Sequence, residues 1–338
     1  MEFILTDNNR KELNYMRHNS DIDLDIGDTN DFKISMSFED YLHFGYDFGY
    51  MFFAESTEYG GIFGQRHTNT ETNIVELSGY TYRGLLSKKI IEPPSGVAYK
   101  TVTGECNSII SSIIGSNFDS LFQVGYYDYN TQTVITDSGF SVSNYSFDRY
   151  TDVLSGLTKM LKSVGAKLQI QCVSGNTNEP FTVYLSATPI NDFSEEIEYS
   201  QDNKINFITS KKTNGINHLI CLGQGELTAR TVVHLYADAD GNISQTKTFS
   251  GINERAAVYD YPSAEDENTL ITEGKENFKE LMNMQSIEIS VDDLSVELGD
   301  IIGGRDRLTG FYIKEQITNK IVKIDNGKLS IDYKVGES

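Results

Sequence analysis

The 338-residue sequence contains no tryptophan, only three cysteines and five prolines, and no apolar run long enough to span a bilayer. Cys106, Cys172 and Cys221 are far apart and lie in no Cys-x-x-Cys or Cys/His cluster, which predicts buried, reduced thiols and neither a disulfide framework nor a zinc site. The first residues also lack the basic and apolar segments of a signal peptide. We therefore expect a soluble protein that stays in a cytoplasm and has no membrane partner.

Basic residues are also scarce, with 28 Lys and Arg against 49 Asp and Glu, which gives a formal net charge of -21. Cationic side chains are needed to displace the counterions of a phosphate backbone, so this charge disfavours nonspecific adhesion to nucleic acid or anionic lipid. We expect that any DNA near this protein moves past it without being bound. Hydrophobic residues at 38% and aromatic residues at 11% are typical of a globular chain with a substantial core.

Alternation of apolar and polar residues dominates the beginning of the chain. In 21–26 each Asp is followed by Ile or Leu, and every second residue of 32–38 is apolar, which predicts half-buried strands. Further strand-like segments continue to residue 92 with turn-forming residues between them. We therefore expect residues 1–93 to form an antiparallel β domain, closed as a barrel or a sandwich.

The pattern changes after Pro93 and Pro94, because proline cannot donate a ladder hydrogen bond and a strand is expected to end before it. Helical periodicity follows in 104–118 and again in 150–164, and two strands follow the second helix. A later helix is expected from Ser263, which can cap it. These features predict an α+β, mainly β protein divided into a β domain at 1–93, an α+β lobe at 94–188, a small β-rich lobe at 189–262, and a helix with terminal strands at 263–338.

Catalytic and metal-binding motifs are not evident. The five histidines occur without His-x-His or His-Glu-x-x-His spacing, and there is no nucleophile elbow, phosphate loop or dinucleotide fingerprint. The segment DADGN at 238–242 resembles the start of a calcium loop, but the positions that require Gly and Glu are Ile243 and Phe249. A hairpin turn at Asp240, Gly241 and Asn242 is the better interpretation. We predict a protein that is not an enzyme and holds no cofactor or metal.

Three segments resemble phage tail hub proteins, a group of prophage tail and baseplate proteins of Gram-positive hosts related in fold to the hub of contractile-tailed coliphages. They are YTYRGLLSKKIIEPP at 80–94, HLICLGQGELTARTVVHLYADADGNI at 218–243 and VELGDIIGGRDRLTGFYIKEQITNKIVKIDNGKLSIDYKVG at 296–336. The last segment is the most specific. Together they touch the start, middle and end of the chain.

The resemblance implies a homotrimer with a central channel. In such hubs, two β-barrel-like tube domains per chain alternate around an axis, so that three chains match a sixfold tail tube to a threefold tip. Residues 1–93 would supply the first tube domain, and the strands from about 286 to 336 would contribute to the second, with the α+β lobes outside. The implied partners are a tail-tube or distal-tail protein, a spike or tail-lysin protein, baseplate wedge proteins, and the tape-measure protein or DNA that passes through the channel. The implied location is the virion tail tip or baseplate, assembled in the bacterial host cytoplasm.

Two sets of residues are candidates for roles in such a ring. Asp21, Asp23 and Asp25 lie on one face of a predicted strand. Carboxylates spaced along one strand diverge rather than converge on a metal ion, so we interpret them as a wet acidic face, with channel lining as the sharper hypothesis because like charge keeps DNA from adhering. Arg83, Lys88 and Lys89 are candidates for pairing with an acidic neighbouring subunit, although a solvated basic loop explains them equally well.

Two other functions stay open at this point. A peptidoglycan-degrading, tail-associated hydrolase is one, since some relatives of these hubs continue into an enzyme, but the hub-like segment here extends to Val335. A receptor- or glycan-binding baseplate protein is the other, because aromatic residues are dense in YLHFGYDFGYMFF at 41–53. A barrel core with a subunit interface explains those aromatics more simply, since tryptophan, the best sugar-stacking side chain, is missing.

Overall fold

The structure is a computed structural model. It describes residues 1–16, 20–115, 118, 120–175, 179–195, 206–212, 214–239, 241–264, 266–282, 284–291, 296–305, 310, 312–325 and 327–335. The chain forms two compact units, one from Met1–Phe207 with Glu288–Val335 (unit 1) and one from Ile208–Ile287 (unit 2). Within the described residues, no helix has the length and apolar character needed to cross a membrane.

The described strands and helices, numbered in chain order, are as follows. The strands are β1 Ile4–Thr6, β2 Glu12–Tyr15, β3 Asp21–Ile26, β4 Asp31–Ser37, β5 Met51–Phe53, β6 Gly60–Asn69, β7 Ile74–Thr81, β8 Thr101–Glu105, β9 Phe122–Val124, β10 Tyr126–Asp128, β11 Thr133–Ile135, β12 Ser141–Ser146, β13 Ala166–Val173, β14 Thr182–Pro189, β15 Asn206–Lys212, β16 His218–Leu222, β17 Val232–Ala237, β18 Ile243–Ser244, β19 Ala256–Asp260, β20 Met284–Val291, β21 Ile301–Arg305, β22 Tyr312–Asp325 and β23 Lys328–Val335. The α-helices are α1 Phe38–Phe44, α2 Tyr82–Leu86, α3 Cys106–Ile114, α4 Val153–Lys162 and α5 Glu267–Leu281.

One large sheet joins the beginning and the end of the chain. Its order is β15-β20-β23-β22-β3-β4-β7-β6-β5-β1-β2, with β21 on β22. The key pairing is antiparallel and lies between β3 and β22, where Leu24 is opposite Val322. The inward residues Ile22, Leu24 and Ile26 are buried, as the alternation predicts. Strands near both chain ends therefore share one hydrogen-bonded ladder. The sheet has an edge strand on each side, β15 and β2, and the described strands close no barrel.

The predicted α+β lobe packs on the first β region as part of unit 1. Its helices α3 and α4 cover β13, β14 and β9, and its apolar side chains form one core with Phe53 and Tyr82 of the first region. The Phe53 and Phe181 rings stack with centroids 4.5 Å apart, and the Tyr82 hydroxyl donates to the Phe52 carbonyl at 2.9 Å. Asp152 caps α4 by accepting from the Ser155 amide. The two helices were predicted from periodicity and the strands β13 and β14 from the turn-forming residues between them, whereas β9 was not predicted.

Unit 2 is a small sheet with one helix across it. The sheet order is β18-β17-β16-β19, and α5 covers the face that carries Leu219 and Leu235. Leu270 and Phe278 of the helix are fully buried, as its apolar periodicity predicts. Gly274 lies between them, where an added Cβ would be 2.5 Å from the Cys221 sulfur, so only glycine permits this approach of helix and sheet.

Several boundaries differ from the predicted ones. The first β region contains the short helices α1 and α2, so β7 ends at Thr81, where the threonine hydroxyl caps α2, and not at the two prolines. The later helix begins after Asp266, which accepts from the Thr269 amide, because Asp266 rather than Ser263 occupies the capping position. This helix lies in unit 2 and the terminal strands lie in unit 1, which divides the predicted 263–338 segment.

Candidate functional site

The stripe of Asp21, Asp23 and Asp25 lies in the middle of the large sheet. Asp21 and Asp23 are exposed and Asp25 is half-buried, while the residues between them face the core. The three carboxylates therefore share the wet face of β3. No group of His, Cys, Asp and Glu side chains in the described part of the chain could hold a metal ion, and we propose no metal here.

Neighbouring strands place basic and amide groups beside this stripe. Asp23 is directly opposite Lys33 on β4 and Lys323 on β22, so a row of lysine, aspartate and lysine crosses three strands. Asp25 accepts hydrogen bonds from the Asn319 side chain, with both carboxylate oxygens 3.1 Å from its Nδ2. The face is thus mixed in charge rather than uniformly acidic. The predicted face was acidic and the observed face is mixed because strand register decides which side chains are neighbours. The sequence of a single strand does not contain that register.

The same face forms an open depression of about 420 Å³ around this row. Asp31 and Ser78 contribute to its lining together with the charged row. Lys33 also lies 3.5 Å from Glu76 on β7, which continues the alternation of charges across the sheet. Such a surface is well hydrated and offers neither an apolar patch nor a run of cations to a passing polymer.

Arg83 is buried in unit 1 rather than free for a neighbouring subunit. Its guanidinium is 2.8 Å from a Glu58 carboxylate oxygen, and the two side chains are only 5% and 3% exposed. A second hydrogen bond, 3.1 Å long, runs from Arg83 to the Leu168 carbonyl of β13. Both partners belong to the same chain, so the expected pairing of Arg83 with another subunit is corrected. The physical reason is that α2 turns this residue inward, whereas a continued strand or loop was expected.

Lys88 and Lys89 are exposed at the end of α2. The Lys88 ammonium lies 4.5 Å from the centre of the Tyr80 ring, and that of Lys89 lies 5.7 Å from the centre of the Phe118 ring. Each ammonium therefore has an aromatic face beside it within unit 1 and remains open to solvent. These two lysines stay candidates for subunit contacts.

Two further ion pairs, one enclosed on both sides and one with a buried lysine and a partly exposed glutamate, were not predicted from the sequence. Lys167 of β13 lies 2.6 Å from Asp300, with side chains 6% and 2% exposed, and joins the lobe to the segment before β21. Lys320 of β22 lies 3.2 Å from Glu297 and donates to the Val296 carbonyl at 3.1 Å. Burial alone would lower the pKa of Lys320, but the Glu297 carboxylate, with Tyr333 and Glu58, outweighs it and raises that pKa.

Unit 2 brings together two histidines that are distant in sequence. His218 Nδ1 is 2.8 Å from a Glu254 carboxylate oxygen, and His218 Nε2 is 2.8 Å from His234 Nδ1. Glu254 also accepts from Lys247 at 2.7 Å. Because a carboxylate only accepts, His218 donates from Nδ1 to Glu254, and its other ring nitrogen shares a hydrogen bond with His234 Nδ1. The cluster is a cross-strand hydrogen-bond chain that links β16, β17 and the turn before β19, and spacing in the sequence gave no signal of it.

Comparisons by sequence identify no relative, since no family model and no curated protein matches the chain. Comparisons by structure do. The 43 kDa tail protein of prophage MuSo2 from Shewanella oneidensis is 11% identical, with a TM-score of 0.55 over 100% of this chain and 98% of the other. The tail protein from Neisseria meningitidis MC58 is 13% identical, with a TM-score of 0.52 over 100% of this chain and 97% of the other.

A third similar structure is the prophage tail protein gp18 from Listeria monocytogenes EGD-e. It is 10% identical, with a TM-score of 0.47 over 100% of this chain and 95% of the other. Identities near 10% carry information about the fold and not about individual residues. The Shewanella and Neisseria structures match the whole of this chain, and the match covers nearly the whole of each of those two chains. The chain therefore has the fold of phage tail proteins.

Proposed function

We propose that this protein is a structural hub at the tail tip or baseplate of a phage or a phage-tail-like particle, and that it is not an enzyme. Three copies form a ring around a central channel and adapt a sixfold tail tube to a threefold tip. The partners are a tail-tube or distal-tail protein above, a spike or tail-lysin protein below, and baseplate wedge proteins outside. The tape-measure protein or DNA passes through the channel. The site of action is the virion tail, after assembly in the host cytoplasm.

The pairing of β3 with β22 is the observation that carries this proposal. A subunit that contributes to a ring wall with both its first and its last β regions needs these regions side by side. Asp25 on β3 and Ile321 on β22 are direct neighbours in one ladder, so a continuous wall is available within each subunit. The full-length structural similarity to phage tail proteins supports the same function.

The mixed-charge face of β3, β4 and β22 is our candidate for the channel lining. Its exposed residues are carboxylates and lysines in alternation, and a surface of this kind holds water rather than a polymer. Asp21, Asp23 and Asp25 would then line the channel, and Lys88 and Lys89 would contact a neighbouring subunit. Substituting the channel-lining carboxylates with lysine is expected to retard the passage of DNA, because cations bind phosphate.

A deletion and labelling experiment tests the proposed function. Particles produced without this chain are expected to lack a complete tail tip, because a hub nucleates the tube, and wild-type protein supplied in trans is expected to restore them. Antibody-labelled gold on complete particles is expected at the tail tip. Normal particles without the protein, or label away from the tip, would contradict the proposal. Release of muropeptides from purified peptidoglycan by the isolated chain would contradict the non-enzymatic part.

A further inference from the structure

The edge strand β19 of unit 2 exposes one side of its backbone. The Tyr261 amide donates to the Leu222 carbonyl at 2.8 Å, and the His218 amide donates to the Arg255 carbonyl at 3.2 Å. Since bonding alternates along a parallel ladder, the N–H and C=O groups of Ala256, Val258 and Asp260 point away from β16. Within the described part of the chain, no strand pairs with that side of β19. Its outward backbone groups are therefore available to another strand.

Two exposed aliphatic side chains lie at this edge. Val258 is 62% exposed in the middle of β19, on the sheet face opposite to α5. Ile252, in the turn before β19, is 98% exposed. Natural edges are blunted by charged side chains, proline, a bulge or a short length; the five-residue sequence of β19, AAVYD, contains no lysine or proline and has its one charged residue at the last position. Its register with β16 is also regular, without a bulge.

We propose that β19 is a docking edge for an extended segment of a different protein, which adds to the sheet as a further strand. Main-chain hydrogen bonds to Ala256, Val258 and Asp260 supply its affinity, and aliphatic residues at alternate positions of the segment pack beside Val258. The inference goes beyond the proposed hub function and does not depend on it.

Charge favours a foreign, basic segment over a second copy of this chain. Each copy carries a formal charge of -21, which attracts a segment flanked by Lys or Arg and provides no such attraction between two copies. Beside the edge, Arg230 pairs with Asp260 and Lys247 pairs with Glu254, so these four ions neutralise each other and the charge of the whole chain sets the long-range attraction. The partner is therefore an extended segment with alternate aliphatic residues and basic flanks.

The test uses the full chain and a synthetic peptide that alternates Val with Thr between pairs of Lys residues. We expect saturable binding by fluorescence anisotropy, weakening with added salt, and slower amide hydrogen exchange of the edge residues in the complex. Two peptide controls need no change in the protein. A peptide with N-methyl groups on the amides that face β19 is expected not to bind, and one with Glu flanks is expected to bind at least ~10-fold more weakly.

Two protein variants complete the test. Val258→Pro removes an N–H that points away from β16, so it is expected to weaken peptide binding at least ~10-fold while the far-UV circular dichroism is unchanged. Val258→Lys places a charged side chain on the edge without removing a backbone N–H, and it is expected to weaken binding of the same peptide. The proposal would be overturned if the wild type showed no saturable binding. It would also be overturned if the N-methylated or the Glu-flanked peptide bound as tightly as the original peptide, or if Val258→Lys bound the original peptide as tightly as the wild type does. Concentration-dependent dimerisation that Val258→Lys abolishes would overturn it as well, because the occupant would then be a second copy.

Discussion

Buried charged pairs are the residue-scale feature that distinguishes this fold. Arg83 with Glu58 and Lys167 with Asp300 are almost fully enclosed, and each pair joins segments that are distant in sequence. Enclosed charges are costly to desolvate, so such pairs contribute little net stability but become strongly destabilising when one partner is removed. We infer that they help to specify which segments of unit 1 pack together.

We predict that Arg83→Met lowers the free energy of unfolding by about 3 to 5 kcal/mol, because Glu58 would be left buried without its cation. Urea denaturation followed by circular dichroism measures the change. The double variant Arg83→Met with Glu58→Gln is expected to recover part of the loss, since no uncompensated charge remains.

The exposed pair of Lys159 and Asp148 provides the matched control. Its atoms are 2.8 Å apart, as in the buried pair, but the two side chains are 66% and 65% exposed. Lys159→Met is therefore expected to change the free energy of unfolding by less than ~1 kcal/mol. Equal losses for Arg83→Met and Lys159→Met would show that burial of the Arg83 pair is not the cause.

Glu105 makes an acid-sensitive contribution to stability. Burial alone would raise the pKa of its carboxyl, but hydrogen bonds from the Ser138 side chain and from the Asn107, Ser108 and Ser138 amides lower that pKa to about 2. A depressed carboxyl pKa gives stability that is fully present above the unfolded-state value of 4.5 and is lost as the pH falls towards about 2. We predict that wild type exceeds Glu105→Gln in thermal stability at pH 7 and that the gap narrows below pH 4.5. A gap that is constant across this range would contradict the assignment.

At the scale of elements, close approaches of backbone to backbone fix the large sheet. A Cβ added to Gly61 of β6 would lie 2.4 Å from the Tyr80 carbonyl oxygen and 2.7 Å from the Phe32 ring. Gly64 lies in the same strand, and a Cβ there would meet nothing within 4 Å. The two glycines therefore form a matched pair for substitution.

We predict that Gly61→Ala lowers the free energy of unfolding by about 1 to 3 kcal/mol, because the methyl group must displace Phe32 and part of the β6–β7 ladder. Gly64→Ala is expected to stay within ~0.5 kcal/mol of wild type. Thermal unfolding of the two variants beside the wild type measures the difference. A similar loss in both variants would mean that helix or strand propensity, and not the close approach, decides the outcome.

The elements themselves were predicted from the sequence where one periodicity dominates. Alternation in β3 and β4 and the apolar faces of α4 and α5 were correct. The helix α1 was missed because its aromatic sequence, FEDYLHF, also suits a strand, although Ser37 caps it through the Asp40 amide.

The candidate site could be predicted only in part. That Asp21, Asp23 and Asp25 share one face follows from the strand period alone. Their neighbours Lys33 and Lys323 do not follow, because cross-strand register depends on the whole sheet. The inward position of Arg83 depends on the short helix α2, whose capping Thr81 also suits the end of a strand, and on Glu58, whose pairing with Arg83 has no local signal in the sequence.

For the whole molecule, one sheet that contains strands from both ends of the chain is the feature with the widest consequence. The ladder between β3 and β22 brings the first and last β regions into one sheet. The tail proteins from Neisseria and Shewanella have a similar fold over nearly their full length. We infer that unit 1 supplies the wall of a ring. Its wet, mixed-charge face is the surface that such a ring can turn towards a channel.

A cryo-electron microscopy reconstruction of the intact tail tip, at a resolution that shows side chains, tests the central claim most directly. We expect three copies of the chain around one axis, with β3, β4 and β22 of each copy in the wall and Asp23 facing the channel. A single copy at the tip, or a ring in which β3 and β22 face away from the axis, would contradict the proposed hub.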